Sequence, residues 1–122
     1  MNVAAVLISL VAVEHVYFAV LEMYLWTKPK GLKAFNMTPE YAKSTAALAA
    51  NQGLYNLFLV AGLVWGLFAT NAEFAQCLQV FFLSCVAIAG IFGGLTVTKR
   101  IFILQSVPAF VALGAVLLGG RQ

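Results

Sequence analysis

Charge is scarce in this sequence: seven basic and four acidic residues among 122, or 9% of the chain. A soluble domain is about a quarter charged and about half apolar. A chain that is 63% hydrophobic cannot cover its outside with polar groups, so its outside is expected to face lipid. Metal-ligand spacing is absent, with one histidine and two cysteines in all, and neither a metal nor a cofactor is expected. A single histidine leaves bis-histidine haem ligation possible only across a dimer. Cys77 and Cys85 fall on one expected helix with roughly 12 Å of rise between them, beyond the roughly 7 Å Cα limit of a disulfide. No phosphate loop and no activated serine or cysteine is evident, which disfavours phosphoryl and acyl transfer. No basic n-region precedes the apolar run from Val3, and that run is too long for a secretory h-region, so the first span is expected to be retained. The net charge of +3 is no argument for a nucleic-acid partner. The basic residues sit in two short loops between apolar runs, where they read as topology signals.

What is present is a series of long apolar runs. They predict an all-α integral membrane four-helix bundle forming one domain. Its spans lie at about 2–26, 44–69, 73–97 and 101–118, with a short polar loop at 27–43. Each run reaches the roughly 20 residues needed to cross a hydrocarbon core. Tyr24 and Trp26 suit the interfacial belt at the end of the first span. Pro29 and Gly31 are expected to break the helix that precedes them. Thr38, Pro39 and Glu40 form a helix start: a cap, a residue suited to the first helical position, and an acid at the positive helix end. The second helix is expected over about 39–69. Asn71 is expected to cap the third, over about 72–98. Gly90, Gly93 and Gly94 in the third helix permit close approach of another helix, within the chain or across a homodimer seam. Pro108 cannot donate to the carbonyl of Leu104, so a kink is expected there. The tail from Gly119 is expected to fray. The loops carrying Lys28, Lys30, Lys33 and Lys43, and Lys99 and Arg100, oppose a side holding only Arg121. The positive-inside rule then puts loops 27–43 and 97–100 in the cytoplasm and both termini outside a plasma (inner) membrane.

The first span is unusual because EHVYFAVLEMYLW, Glu14 to Trp26, holds two carboxylates and the only histidine. Ionisable groups at bilayer depth usually face a bundle interior or a water-filled cavity. His15 and Glu22 lie roughly 20° apart around a helix axis, with Ile8, Val11, Phe18 and Trp26 on the same stripe. Glu14 stands roughly 100° from His15, at the edge of that face. The second helix carries NQGLYN, where Asn51, Gln52, Tyr55 and Asn56 share an arc of about 140° that Thr45, Gly62 and Gly66 continue. Interhelical hydrogen bonding alone is the simpler reading of these amides. Gln105, Thr96 and Thr98 lie toward the same membrane side, whereas the other half is nearly featureless apart from Gln76 and Gln79. The asymmetry predicts an intramembrane polar pocket.

The EH pair at 14–15, LEM at 21–23, NQGLYN at 51–56 and AGIFGG at 89–94, with Gln105 and Pro108, together resemble a family of small bacterial four-helix membrane proteins called domain of unknown function 1304. The resemblance covers nearly the whole chain. It implies fold and membrane location, and no activity.

The residues themselves admit three functions. In the first, a membrane-embedded enzyme acts on a lipophilic small molecule. Glu14, His15 and Glu22 are then the catalytic acid and base groups, and Asn51, Gln52, Tyr55, Asn56 and Gln105 bind the substrate. Isomerisation or the opening of a strained ring such as an epoxide suits that set. In the second, a homodimeric proton-coupled transporter uses Glu14 as its ion-binding carboxylate, as small multidrug exporters of similar size use a glutamate in their first helix. In the third, a non-catalytic subunit binds lipid, quinone or a partner helix.

Overall fold

A computed structural model describes residues 2–119. Among them the fold is all-α, with no strand, and four helices are long and apolar enough to cross a membrane, as an all-α four-helix bundle requires. The first is α1 (Val3–Met23), 21 residues. At about 1.5 Å per residue it matches a hydrocarbon core of about 30 Å. A short helix α2 (Pro29–Phe35) follows, then α3 (Pro39–Phe68) and α4 (Ala72–Thr96). The last crossing, Lys99–Gly119, is composite: a single turn α5 (Lys99–Ile101), a π-helical segment (Phe102–Ser106) and α6 (Val107–Gly119). The expected fraying of the tail beyond Gly119, and the topological weight given to Arg121, fall outside the described residues.

Two expected helix starts are observed. The Thr38 hydroxyl accepts from the Tyr41 N–H at 3.2 Å, and the Asn71 side chain accepts from the Phe74 N–H at 2.9 Å. Each satisfies one of the free donors of a first turn.

One expectation needs correction, and another gains its local geometry. The stretch 27–43 is not simply a polar loop, because Pro29 starts a helix rather than only ending one. Its fixed φ and missing N–H fit the first helical position. Gly31 is buried inside α2, where any Cβ would run into the Leu25 carbonyl, so it is a contact point and not a breaker. Asn36, at φ 51°, closes α2 in the left-handed conformation that asparagine tolerates. The second concerns Pro108, where a kink is expected. The chain answers its missing donor with a π turn, in which the Val107 N–H reaches back to the Phe102 carbonyl. The lost α-helical bond is thereby absorbed by a local change of hydrogen-bond register.

Contacts group the chain into two compact units, one of residues up to 12 and from 61 onward, the other of residues 13–60. In the first, α4 lies closely against the π segment. Gly90 sits over Ser106, Gly93 over Ile101 and Gly94 over Phe102. Ser106 is fully buried and donates to the Ala87 carbonyl at 2.7 Å. The three glycines therefore serve packing within the chain, the simpler of the two readings of their spacing. Gly62 faces the Phe82 ring, and the Gln79 amide donates to the Gly66 carbonyl at 2.8 Å.

A Cβ at Gly90 would meet the Ser106 hydroxyl and stand 2.7 Å from its backbone nitrogen, while one at Gly114 would meet nothing within 4 Å. Gly90→Ala is expected to destabilise by about 1–3 kcal/mol, the usual cost of overpacking. Gly114→Ala should be neutral or stabilise by up to about 1 kcal/mol, since alanine is the better helix former. Thermal unfolding of the two variants in detergent micelles checks the contrast.

Candidate functional site

The unit of residues 13–60 holds seven of the eight residues picked out from the sequence. It consists of the second half of α1, α2 and α3 as far as Val60. Gly53 sets the approach of its two long helices. It is buried on α3, and a Cβ there would come 3.1 Å from the Ala19 carbonyl and 3.2 Å from the Glu22 Cβ. With no side chain in the way, the backbones draw together and the polar groups on either side of Gly53 come within reach.

One such contact joins Glu22 to Asn56. The Asn56 amide donates to the Glu22 carboxylate at 2.5 Å, and Asn56 is 4% exposed. Toward the α2 end of α1, the Trp26 indole donates to Thr45 at 3.0 Å, and the Trp26 and Phe35 rings lie 4.8 Å apart. Trp26, in the turn that follows α1, thus ties that turn to both α2 and α3. The Lys30 ammonium lies 5.5 Å from the centre of the Tyr17 ring, a cation–π arrangement between α2 and α1.

The second polar group is Glu14 with His15. His15 is fully buried and meets the Phe18 ring edge-on at 5.3 Å. The Glu14 carboxylate comes 3.9 Å from His15 Nδ1, close enough for an ion pair and too long for a hydrogen bond. Its Oε1 is buried and accepts no hydrogen bond from the described residues, although the side chain as a whole is 24% exposed. The expectation that Glu14 stands apart from His15 is therefore corrected. A helical wheel fixes where Cβ atoms point, but a glutamate carries its carboxylate three bonds further and can fold back toward its neighbour. Glu22, which the wheel aligns with His15, is engaged instead by α3.

The NQGLYN block does not act as one face. Asn56 is buried against Glu22, while Asn51, Gln52 and Tyr55 are exposed. The arc they share straddles the edge of the α1–α3 contact. Tyr55 pairs with Phe58, their rings 5.7 Å apart and edge to face. Gln105 belongs to the other unit, half-buried in the π segment, with its Cβ beside Gly90. Among the described residues no group of three or more His, Cys, Asp or Glu side chains is arranged to hold a metal.

A cavity of about 160 Å³ lies elsewhere, in the unit of residues up to 12 and from 61 onward. Asn2, Ala5, Gly66, Thr70, Gln76 and Gln79 are among its lining residues, and none of the eight sequence-derived candidates is. Ligand pockets for drug-sized molecules run to roughly 300–1,000 Å³, so this one suits a few waters or a small polar group. The clue in the sequence was Gln76 and Gln79, three apart in an otherwise apolar helix.

The sequence matches the model of the family described as "Protein of unknown function (DUF1304)" over residues 9–117, and the chain belongs to that family. It is 30% identical over 118 residues to the uncharacterized protein YpaA of Lactococcus lactis subsp. lactis (strain IL1403), an alignment covering 93% of this chain and 96% of that protein. No solved structure matches.

Asn56→Leu should remove the hydrogen bond to Glu22 and leave a partly buried carboxylate behind, destabilising the protein by roughly 1.5–3 kcal/mol. Removing both partners in Asn56→Leu/Glu22→Leu should recover most of that loss, because apolar replacement of a whole pair is nearly neutral. Unfolding midpoints of the single and double variants measure the coupling. A double variant no more stable than Asn56→Leu would show that the amide acts through some other group.

Proposed function

We propose that this chain is a multi-pass membrane protein that binds a lipophilic small molecule carrying a hydrogen-bond donor, at Glu14 and His15 within the bilayer. The observation that carries the reading is the Glu14 carboxylate. One oxygen is buried without a hydrogen bond from the described residues, beside a fully buried imidazole, on a helix apolar enough to span a membrane. Ionisable groups in that setting are costly to retain and mark ligand or proton pathways. When ionised, the Glu14 carboxylate accepts only, and the ligand group complementary to that state is a hydroxyl or an amine.

Glu14 and His15 then form the pair able to take a proton from such a ligand or return it, the acid/base role expected of them. Isomerisation or epoxide opening remains the reaction class this pair suits. Glu22 has a different part in this reading. Its bond to Asn56 makes it a post between α1 and α3 that holds the pair in place. Asn56 is structural in the same sense, and the exposed Asn51, Gln52 and Tyr55 lie outside the site. The basic residues of 28–43 and 99–100 face the cytoplasm, which puts the N-terminus and the α3–α4 turn on the opposite side of the membrane.

Mass spectrometry of small molecules that co-purify with the detergent-solubilised protein tests the binding reading. A lipophilic compound should be enriched over a blank membrane extract and fall at least about tenfold in Glu14→Gln, whose amide no longer supplies a carboxylate acceptor. Gln79→Ala, at the separate cavity, should retain it. Equal recovery from Glu14→Gln, or no enrichment at all, would remove the proposal. For orientation, single cysteines at Lys30 and Thr70 in a Cys77→Ser/Cys85→Ser background are expected to react differently with an impermeant thiol reagent added to intact cells. Thr70→Cys should label and Lys30→Cys should not.

A further inference from the structure

Within the unit of residues 13–60, α1 exposes Val13, Val16, Tyr17, Val20 and Tyr24, the side that a membrane-spanning helix shows to lipid. One cation lies against that side. The Lys30 ammonium stands 5.5 Å from the centre of the Tyr17 ring. Tyr17 is six residues before Met23, the last residue of α1, and so about 9 Å of rise short of the helix end. Lys30 itself belongs to α2, beyond the turn. It reaches α1 because α2 is held close: Gly31 packs on the Leu25 carbonyl and Phe35 on the Trp26 ring.

A lysine in an ordinary loop extends its ammonium into water. Here the ammonium returns to the level of a spanning helix, at the boundary between hydrocarbon and headgroups. A cation at that level needs an anion. The face of the Tyr17 ring attracts it and supplies part of the compensation. Carboxylates of the protein do not supply the rest, since among the described residues none forms an ion pair with Lys30. Lys28, Lys33 and Lys43 are exposed in the same stretch, where Glu40 is the only acid. The anion that a bilayer itself presents at this level is the phosphate of a phospholipid. In a zwitterionic lipid that charge is already offset by the lipid's own cation. A stretch with four lysines against one carboxylate therefore complements a headgroup of net negative charge.

We propose that Lys30, seated on the Tyr17 ring, binds the headgroup phosphate of an anionic phospholipid. The ammonium pairs with the phosphate, and the ring holds the ammonium against α1. Lys28 and Lys33 add positive potential around it, and the acyl chains run along Val13 and Val16. The inference rests on the membrane reading given above and not on the ligand reading at Glu14 and His15.

Native mass spectrometry of the detergent-solubilised full chain tests it, with dioleoyl phosphatidylglycerol and dioleoyl phosphatidylcholine offered in equal amounts. Phosphatidylglycerol adducts should dominate. Lys30→Gln should weaken them roughly fivefold, the effect of one lysine beside an anionic headgroup. Tyr17→Leu should weaken them about twofold to fivefold, the share of the ring. Lys30→Arg should keep them, and Lys99→Gln, in the other basic loop, should cost much less than Lys30→Gln. Equal adducts of the two lipids, or equal losses in Lys30→Gln and Lys99→Gln, overturn the site. Displacement of phosphatidylglycerol by excess inorganic phosphate marks a site for free anions and overturns the headgroup assignment. Recovery of the protein in the soluble fraction overturns the membrane reading and the site with it. Thermal stabilisation by phosphatidylglycerol, kept in Lys99→Gln and lost in Lys30→Gln, is a second readout that also shows whether each variant is folded.

Discussion

A polar group removed from water must find its partner inside the protein, and in this chain that requirement shapes the unit of residues 13–60. Glu22 on α1 and Asn56 on α3 satisfy it jointly, and they meet because Gly53 leaves no side chain between the helices. Trp26 and Thr45 repeat the arrangement toward the α2 end, where Gly31 lets α2 close on the Leu25 carbonyl. The Glu22–Asn56 contact is paired with a glycine that permits the backbone approach. The apolar residues around them suit lipid and protein almost equally, so they contribute little to the choice of register.

The unit of residues up to 12 and from 61 onward uses the same rule with different groups. Ser106 is buried with its hydroxyl on the Ala87 carbonyl, and Gly90 lets α4 come close enough for that bond. The π turn before Pro108 is part of this solution. A proline in an α-helix leaves one carbonyl without a donor, and in lipid no water stands in. Widening one turn changes which carbonyls need partners and lets Ser106 face α4. The change of register thus occupies Phe102 to Ser106, just before Pro108.

Much of this was legible beforehand. The four long helices follow from hydropathy and length, and the caps at Thr38 and Asn71 from local hydrogen-bonding chemistry, which depends on a few consecutive residues. The short helix α2 was hidden because proline and glycine are ambiguous: the same Pro29 can end one helix or begin the next. The site was legible in its members and not in its pairings. Periodicity grouped Asn51, Gln52, Tyr55 and Asn56, but a wheel gives angles relative to one another and not to the neighbouring helix. Only Asn56 turned inward.

The sequence by itself determined the class of the protein: an all-α chain with four membrane-competent helices, two carboxylates and a histidine in the first of them, and glycines where helices approach. These depend on composition, length and period, which are local and survive any rearrangement of the helices. The tertiary structure alone decided that Glu22 belongs to Asn56, that Glu14 folds toward His15, and that the α4 glycines are spent within the chain. Those pairings depend on helix rotation and on the reach of long side chains, and both are set only when the helices pack.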